Sequence, residues 1–565
     1  MPARRRSSQG QRARRAERLA DAAGLAMRAL LRPIAGQGRF RPGPLPGGAR
    51  RLLLIQLDGV SLGRLREVLA AGRLPALAAR LARGSHALSG CRSGLPSSTP
   101  AYQAGLLYGR SPAVPGFIWC DRRTGREVRM DRAADAAALE RSLGSGGRGL
   151  LRGGTSYFSI FSGDAAVPHF CLSGLSGELD LGWFERELGP WDAAASALVH
   201  TVTAGRAAVR LAHEAGLGLV DGLRWVARVR RLRHEPRFLL HRVFISSVLR
   251  ELAIQGILLD VSRGLPVVYA DFLGFDEAAH RRGPASAAAL RRLEAADAAL
   301  ATIFAAVEAA PGLGYDVFVL SDHGHVPTTP FEALSGLALP AFVGRAERGE
   351  PLPRGPAPLR PNRGLLGGRT LGGARTEGIA VAEAGALAHV YFLREGPGPH
   401  PLDVLRARHG RVLAALAGSP AVGLVAARGG QRGVVLVGGG ALALSDPADV
   451  ARLPHPEPRL LATYLSDLLS LESAGDLVVL GWRGPCHRSV AYAWEFGSHG
   501  GAAPEELDAF VLHPAACPFR FDQVLRPAEL NAFFEQAYRG PAEEAQRERA
   551  RRAPPSPEAA AEGLP

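Results

Sequence analysis

The stretch that most constrains this chain runs from Tyr315 to His325, YDVFVLSDHGH. Val317 to Leu320 form a continuous apolar run, with Gly312 and Gly314 before it and Gly324 after it, which predicts a short strand buried on both faces. At its carboxyl end stand Asp322 and His323, side by side. Ligands of an open α/β sheet bind beyond the carboxyl ends of its strands, and a carboxylate next to an imidazole there can hold one or two metal ions. By itself the Asp-His-Gly step describes an ordinary turn equally well, so its meaning depends on what other strand ends offer.

Other strand ends offer similar residues. Leu52 to Leu57 is a strand-length apolar run interrupted only by Gln56 and followed by Asp58 and Gly59. Val267 to Ala270 predicts another buried strand, followed by Asp276 and His280, which share one face of a helical turn and can bind one ion. Asp271, nearer the strand end, competes for the same role. Ser98, Thr99 and Pro100 form a helix-start signal, with Pro100 suited to the first helical position and the hydroxyl of Thr99 to the cap. A hydroxyl there either caps the helix or, among free N–H groups and the positive dipole end, is placed to attack a phosphate. His499 lies between glycines in GSHGG, before an apolar strand from Ala509 to Leu512. His325 has no evident partner and is a candidate for supporting a ligand from behind.

Helical segments, including one from Ala285 to Ala309, alternate with these strands. That alternation predicts an α/β fold, a mostly parallel central sheet with helices on both faces. The expected parts are a basic extension (1–48), three core segments (49–142, 263–330 and 476–540), a helical basic insertion (143–262), a smaller α+β subdomain (331–475) and a disordered charged tail (541–565). Within them, strands are expected at His389 to Leu393 and Val434 to Val437, and at Leu477 to Leu480, the last returning to the main sheet.

Composition narrows the function classes. There is no lysine, so all 68 basic residues are arginine; with 69 glycines this points to a GC-rich, bacterial coding bias and cautions against reading each arginine as functional. A net charge of +15 favours anions, phosphorylated substrates and anionic lipid surfaces. No helix-turn-helix, zinc-finger or RNA-binding signature accompanies it, so no specific nucleic-acid binding is expected. The cysteines at 91, 120, 171, 486 and 517 are scattered and lack a Cys-x-x-Cys spacing, which argues against a disulfide framework or cysteine-zinc site. No apolar run reaches membrane-spanning length, and Ala20 to Leu31, broken by Asp21 and Arg28, makes a poor signal peptide. The expected location is the cytoplasm or the periphery of a membrane. Ala20 to Leu31 reads as part of a frayed basic tail or as a membrane-touching amphipathic helix. Arg224 to Arg242, where arginines interleave with apolar residues, reads as a solvated helix face, a cover for the site or a contact with an anionic surface.

The order of motifs is LDG, P-x-x-T with a glycine ten residues after the threonine, D-x-x-x-H-x-x-G-P, S-D-H-G and G-x-H-G. It resembles the alkaline phosphatase superfamily, closest to its type I phosphodiesterase/nucleotide pyrophosphatase branch. The residues concerned are Asp58; Pro96, Thr99 and Gly109; Asp276, His280, Gly283 and Pro284; Asp322 and His323; and His499. The resemblance implies an alkaline phosphatase-like fold and two divalent ions, expected to be zinc. One ion would be held by Asp58, Thr99, Asp322 and His323, the other by Asp276, His280 and His499. Thr99 would be the nucleophile of a phosphodiesterase and pass through a phospho-threonine intermediate. Some relatives place the nucleophile two residues before a proline, which selects Ser98; the gap-free match of Pro96 and Gly109 selects Thr99. The branch usually carries an asparagine 21 residues after the nucleophile, where this chain has Cys120, a poor donor, followed by Asp121. That departure opens alternatives: a phosphomonoesterase, a phospho-headgroup transferase on a lipid-linked substrate, or a non-catalytic scaffold binding anions or membranes.

Overall fold

The computed structural model describes residues 49–144, 149–175, 216, 250–353, 355, 378–437, 440–485 and 487–540. The expected N-terminal extension, most of the basic insertion including Arg224 to Arg242, and the charged tail lie outside the described residues.

Seven strands form the central sheet: β1 (Arg51–Leu57), β2 (His86–Arg92), β3 (Thr155–Tyr157), β4 (Val167–His169), β5 (Val267–Phe272), β6 (Tyr315–Leu320) and β7 (Asp508–Pro514), in the order β2-β7-β6-β1-β5-β3-β4. Strand β1 pairs in parallel with β5 and with β6, and β5 continues in parallel through β3 to β4. Only β7 runs against this direction, between β6 and β2. The sheet is therefore mostly parallel, as the apolar runs require: a strand covered on both faces has no polar side to show.

The pleat sends alternate residues to opposite cores. Leu53, Ile55 and Leu57 of β1 join Val268 and Ala270 of β5 and Val317 and Val319 of β6 on one face, covered by a helix from Ala287 to Glu308. Leu52 and Leu54 join Val267, Tyr269, Phe318 and Leu320 on the other, covered by helix α1 (Thr99–Tyr108). Each such leucine or valine contributes about 1.5–3 kcal/mol by leaving water, so a slip of one residue in register would exchange the two cores.

Part of the expected insertion lies in this sheet, since Thr155–Tyr157 and Val167–His169 are its outer strands. A second, six-stranded sheet is built from Ile379–Ala384, Leu387–Phe392, Leu477–Leu480, Leu424–Ala427, Val434–Val437 and Gly440–Ala443, in that spatial order. Leu477–Leu480, expected in the main sheet, is corrected to the interior of this one, antiparallel to both neighbours. An LVVL run satisfies a strand buried on both faces in either sheet, and its neighbours, not its own residues, decide which.

Candidate metal centre

The carboxyl edge of the parallel block gathers one group of side chains. Asp58 follows β1, helix α2 (Gly274–Arg282) follows β5 with Asp276 and His280, and Asp322 and His323 follow β6. Because β7 is antiparallel, its amino end lies at the same edge and brings His499 there; β2, opposed to β7, delivers α1 there as well. One antiparallel strand thus lets residues before a strand meet residues that follow others.

Helix α1 begins at the Ser-Thr-Pro step, one residue earlier than a proline at the first helical position and a Thr99 cap would place it. Ser98 occupies the cap position in extended conformation, Thr99 is the first helical residue, and the helix ends at Gly109 with φ 66°. The Ser98 hydroxyl is buried without a hydrogen-bond partner, whereas Thr99 Oγ1 lies 3.3 Å from His323 Nε2. His323 Nε2 is also 3.2 Å from Asp322 Oδ2 and 3.7 Å from Asp58 Oδ1. Asp322 Oδ1 accepts from the amides of Gly59 and His323. That leaves Asp58 Oδ1 and Asp322 Oδ2 buried with no hydrogen-bond partner.

A second group adjoins the first through the stacked rings of His323 and His499, 3.7 Å apart. His280 Nε2 stands 3.1 Å from His499 Nε2 and 3.4 Å from Asp276 Oδ2, and His499 Nε2 is 3.6 Å from Asp276 Oδ1. His499 Nδ1 lies 2.9 Å from the Ser97 carbonyl, so its Nδ1–H donates there and Nε2 is left to face the group. All seven residues singled out in the sequence, Asp58, Thr99, Asp276, His280, Asp322, His323 and His499, therefore meet at one place.

Sequence reasoning under-read His325. Its Nε2 lies 2.5 Å from Asp276 Oδ1, and ligand atoms of Asp276, His323, His325 and His499 all fall within 4.8 Å of one another, as do those of Asp58, Asp322 and His323. The signal in the sequence was the alternation of His323 and His325 around a glycine, but the partner Asp276 is remote along the chain. Gly59 makes room for this pair: a Cβ there would meet His325 Cδ2 at 2.7 Å and Asp276 Oδ1 at 2.9 Å. Asp271, the competitor of Asp276, is held elsewhere, its Oδ2 accepting from the side-chain amides of Gln56 and Gln103.

Electrostatics separate carboxylates from imidazoles. Burial first, and then neighbouring carboxylates, raise the carboxyls of Asp58, Asp271 and Asp322, the last to about 7 with Asp276 as its carboxylate neighbour. Burial opposes ionisation of Asp276 too, but His280 and His325 hold it well below the usual carboxylate range. Burial lowers His323 and His499 to about 3, and His325 to about 4. On His280 burial is outweighed by Glu495 and Asp276, which hold it well above the usual imidazole range until a cation displaces its proton. Neutral imidazoles with lone pairs, beside carboxylates crowded enough to be costly as anions, form a donor set that a divalent cation satisfies. The unpartnered oxygens of Asp58 and Asp322 fit the same conclusion.

Cys120 is not drawn into this group. It ends the strand Ile118–Cys120, paired with Glu127–Arg129, and is buried in the apolar core on the α1 side of the sheet. Asp121 is a turn carboxylate accepting from the amides of Arg123 and Thr124.

Residues 253–340 match the family model described as type I phosphodiesterase/nucleotide pyrophosphatase. No curated protein matches the chain. Among solved structures, murine ectonucleotide pyrophosphatase/phosphodiesterase 5 is similar at 11% identity, covering 87% of this chain and 95% of that one with a TM-score of 0.45. Phosphonoacetate hydrolase from Sinorhizobium meliloti 1021, in complex with phosphonoacetate, is similar at 16% identity, covering 88% and 99% with a TM-score of 0.42.

Proposed function

We infer from the match over residues 253–340, and from the alkaline phosphatase superfamily resemblance that it bears out, that this chain is a metal-dependent phosphoester hydrolase. We propose further that it is a phosphodiesterase using Thr99 as nucleophile and two divalent ions, with zinc the expected metal.

The observation that carries this reading is Thr99 Oγ1 at 3.3 Å from His323 Nε2, where the two groups of ligand-type atoms meet. Asp58, Thr99, Asp322 and His323 would hold one ion, and Asp276, His280 and His499 the other. When bound, such ions lower the pKa of a hydroxyl and neutralise charge gathering on phosphoryl oxygens.

The chain's own residues account for the remainder. Helix α1 presents the Thr99 hydroxyl at its first turn, where free N–H groups and the positive dipole end favour an anionic phosphoryl group. Thr99 Oγ1 gives up its proton and forms a bond to phosphorus while the ester oxygen leaves opposite it with its bonding electrons and takes up a proton. A phospho-threonine results; water then attacks the same phosphorus, Thr99 oxygen leaves, and the hydroxyl is restored. The substrate expected is a small or lipid-linked phosphate ester. Cys120, in the apolar core, supports a phosphoryl site without the asparagine donor usual in the branch, so a monoesterase or headgroup transferase is the second reading.

Hydrolysis of bis-p-nitrophenyl phosphate and of p-nitrophenyl phosphate by zinc-loaded protein tests the assignment. Diester turnover exceeding monoester turnover is expected; monoester turnover alone would replace the phosphodiesterase reading with the second. Failure of the metal-free protein to take up any divalent ion on titration would overturn both.

A further inference from the structure

We propose that Glu495 is the positioning residue of the Asp276–His280–His499 group, orienting His280 for metal binding; this rests on the reading above. His280 Nε2 faces His499 and Asp276, and its other nitrogen, Nδ1, lies within ion-pair distance of Glu495 Oε2, at 3.1 Å, without an aligned hydrogen bond. An imidazole that ligates through one nitrogen needs the other to keep its proton, and a carboxylate at that second nitrogen fixes the tautomer, restrains the ring and raises the basicity of the ligating atom.

The surroundings hold Glu495 for this task. Ser498 Oγ donates to Oε2 at 2.8 Å, and Thr328 Oγ1 donates to the Glu495 carbonyl at 3.1 Å. The next residue, Phe496, donates its amide to the His280 carbonyl at 2.9 Å and accepts from the Thr328 amide at 3.0 Å. The backbone of this loop is thus already fastened to α2 and to the strand Val326–Pro330 without the carboxylate. What the carboxylate adds is directed at the imidazole. Five residues, 495–499, then supply both a ligand, His499, and the group that aims its partner, His280. Losing Glu495 would free the ring to turn and let the proton settle on Nε2, removing the lone pair that faces the group.

The test is zinc affinity by chelator competition, with cobalt(II) absorption spectra of the same proteins, on full-length wild type, Glu495→Ala and Glu495→Gln. Wild type is expected to take up two equivalents. Glu495→Ala should weaken one of them 10- to 100-fold, the usual cost of losing a partner that orients a ligand. It should leave the other within about twofold and alter the cobalt spectrum of the weakened site only. Glu495→Gln, which keeps an acceptor oxygen beside Nδ1, should recover part of that loss. Unchanged affinities in Glu495→Ala would overturn the inference while leaving the proposed function standing. So would an equal loss of both equivalents with a lowered melting temperature of the metal-free protein, since that is what a merely structural link would produce. A wild type that binds no metal would instead remove the function on which the inference rests.

Discussion

His280 Nε2 and His499 Nε2 face each other across 3.1 Å, from a helix after β5 and a loop before β7. Burial opposes a charge on His280, but Glu495 and Asp276 hold its pKa well above the usual imidazole range. Without metal a proton on Nε2 joins it to His499, and a cation placed between the two nitrogens would take that proton's place. Two nitrogens on one tetrahedral zinc, each about 2.0–2.1 Å from it, stand roughly 3.3 Å apart. The spacing fits a pair of ligands on the ion proposed for Asp276, His280 and His499, with Asp276 as its third donor.

The first prediction separates Asp276 from its competitor. Asp276→Asn should weaken binding of one metal equivalent by about 100-fold or more, because one carboxylate supplies an anionic donor and holds His280 and His325. Asp271→Asn should change metal affinity by no more than about threefold, since Asp271 serves Gln56 and Gln103. Zinc titration of both variants against a chelator checks this. A comparable loss in Asp271→Asn would return that residue to the ligand set.

The second concerns the nucleophile. Thr99→Ala should lower kcat on an activated diester by roughly 10³-fold or more, the scale on which covalent catalysis fails when its nucleophile is removed. Ser98→Ala should stay within severalfold of wild type, because the Ser98 hydroxyl is buried at the cap without a hydrogen bond. Trapping of labelled phosphate on the protein after acid quench, present in wild type and absent in Thr99→Ala, is the direct measurement.

Much of this arrangement was legible in the sequence, for a physical reason. Strands β1, β5, β6 and β7 are buried on both faces, so their apolar runs stand out, and ligands that immediately follow a strand inherit its visibility. The half-exposed β2, HALSGCR, mixes polar and apolar residues and gave no such signal; three-residue β3 is too short for periodicity to show. Leu477–Leu480 was visible as a strand, but its sheet was not, because pairing partners are remote along the chain. The same remoteness hid the roles of His325 and Glu495, whose side chains acquire meaning only beside Asp276 and His280.

A third prediction tests the cradle around Asp276. Gly59 has φ 74°, a left-handed conformation costly for other residues, and a methyl there would press on His325 and Asp276. Gly59→Ala should destabilise the fold by about 1–3 kcal/mol and reduce metal affinity with it. Urea denaturation of the metal-free protein measures the first effect and chelator competition the second. An unaltered midpoint with unaltered affinity would mean that the backbone accommodates the methyl by shifting.

The last prediction uses a carboxyl outside the metal group. Glu506 is buried, with Oε2 accepting from the Ala503 amide at 2.8 Å and Oε1 without a hydrogen-bond partner. Burial raises its pKa to about 8, against an unfolded value near 4.5. A carboxyl raised on folding binds its proton more tightly in the native state, so its contribution to stability is fully present below about pH 4.5 and is lost as pH climbs through 8. Glutamine keeps an acceptor for Ala503 and has no charge to bury. Glu506→Gln should therefore leave the urea midpoint of the metal-free protein unchanged near pH 4. It should raise the midpoint at pH 8, by an amount of order 1 kcal/mol in unfolding free energy, the scale of an unsatisfied buried polar group. A midpoint difference that is the same at both pH values would show that Glu506 does not titrate with folding, and that its carboxyl is satisfied in the native protein.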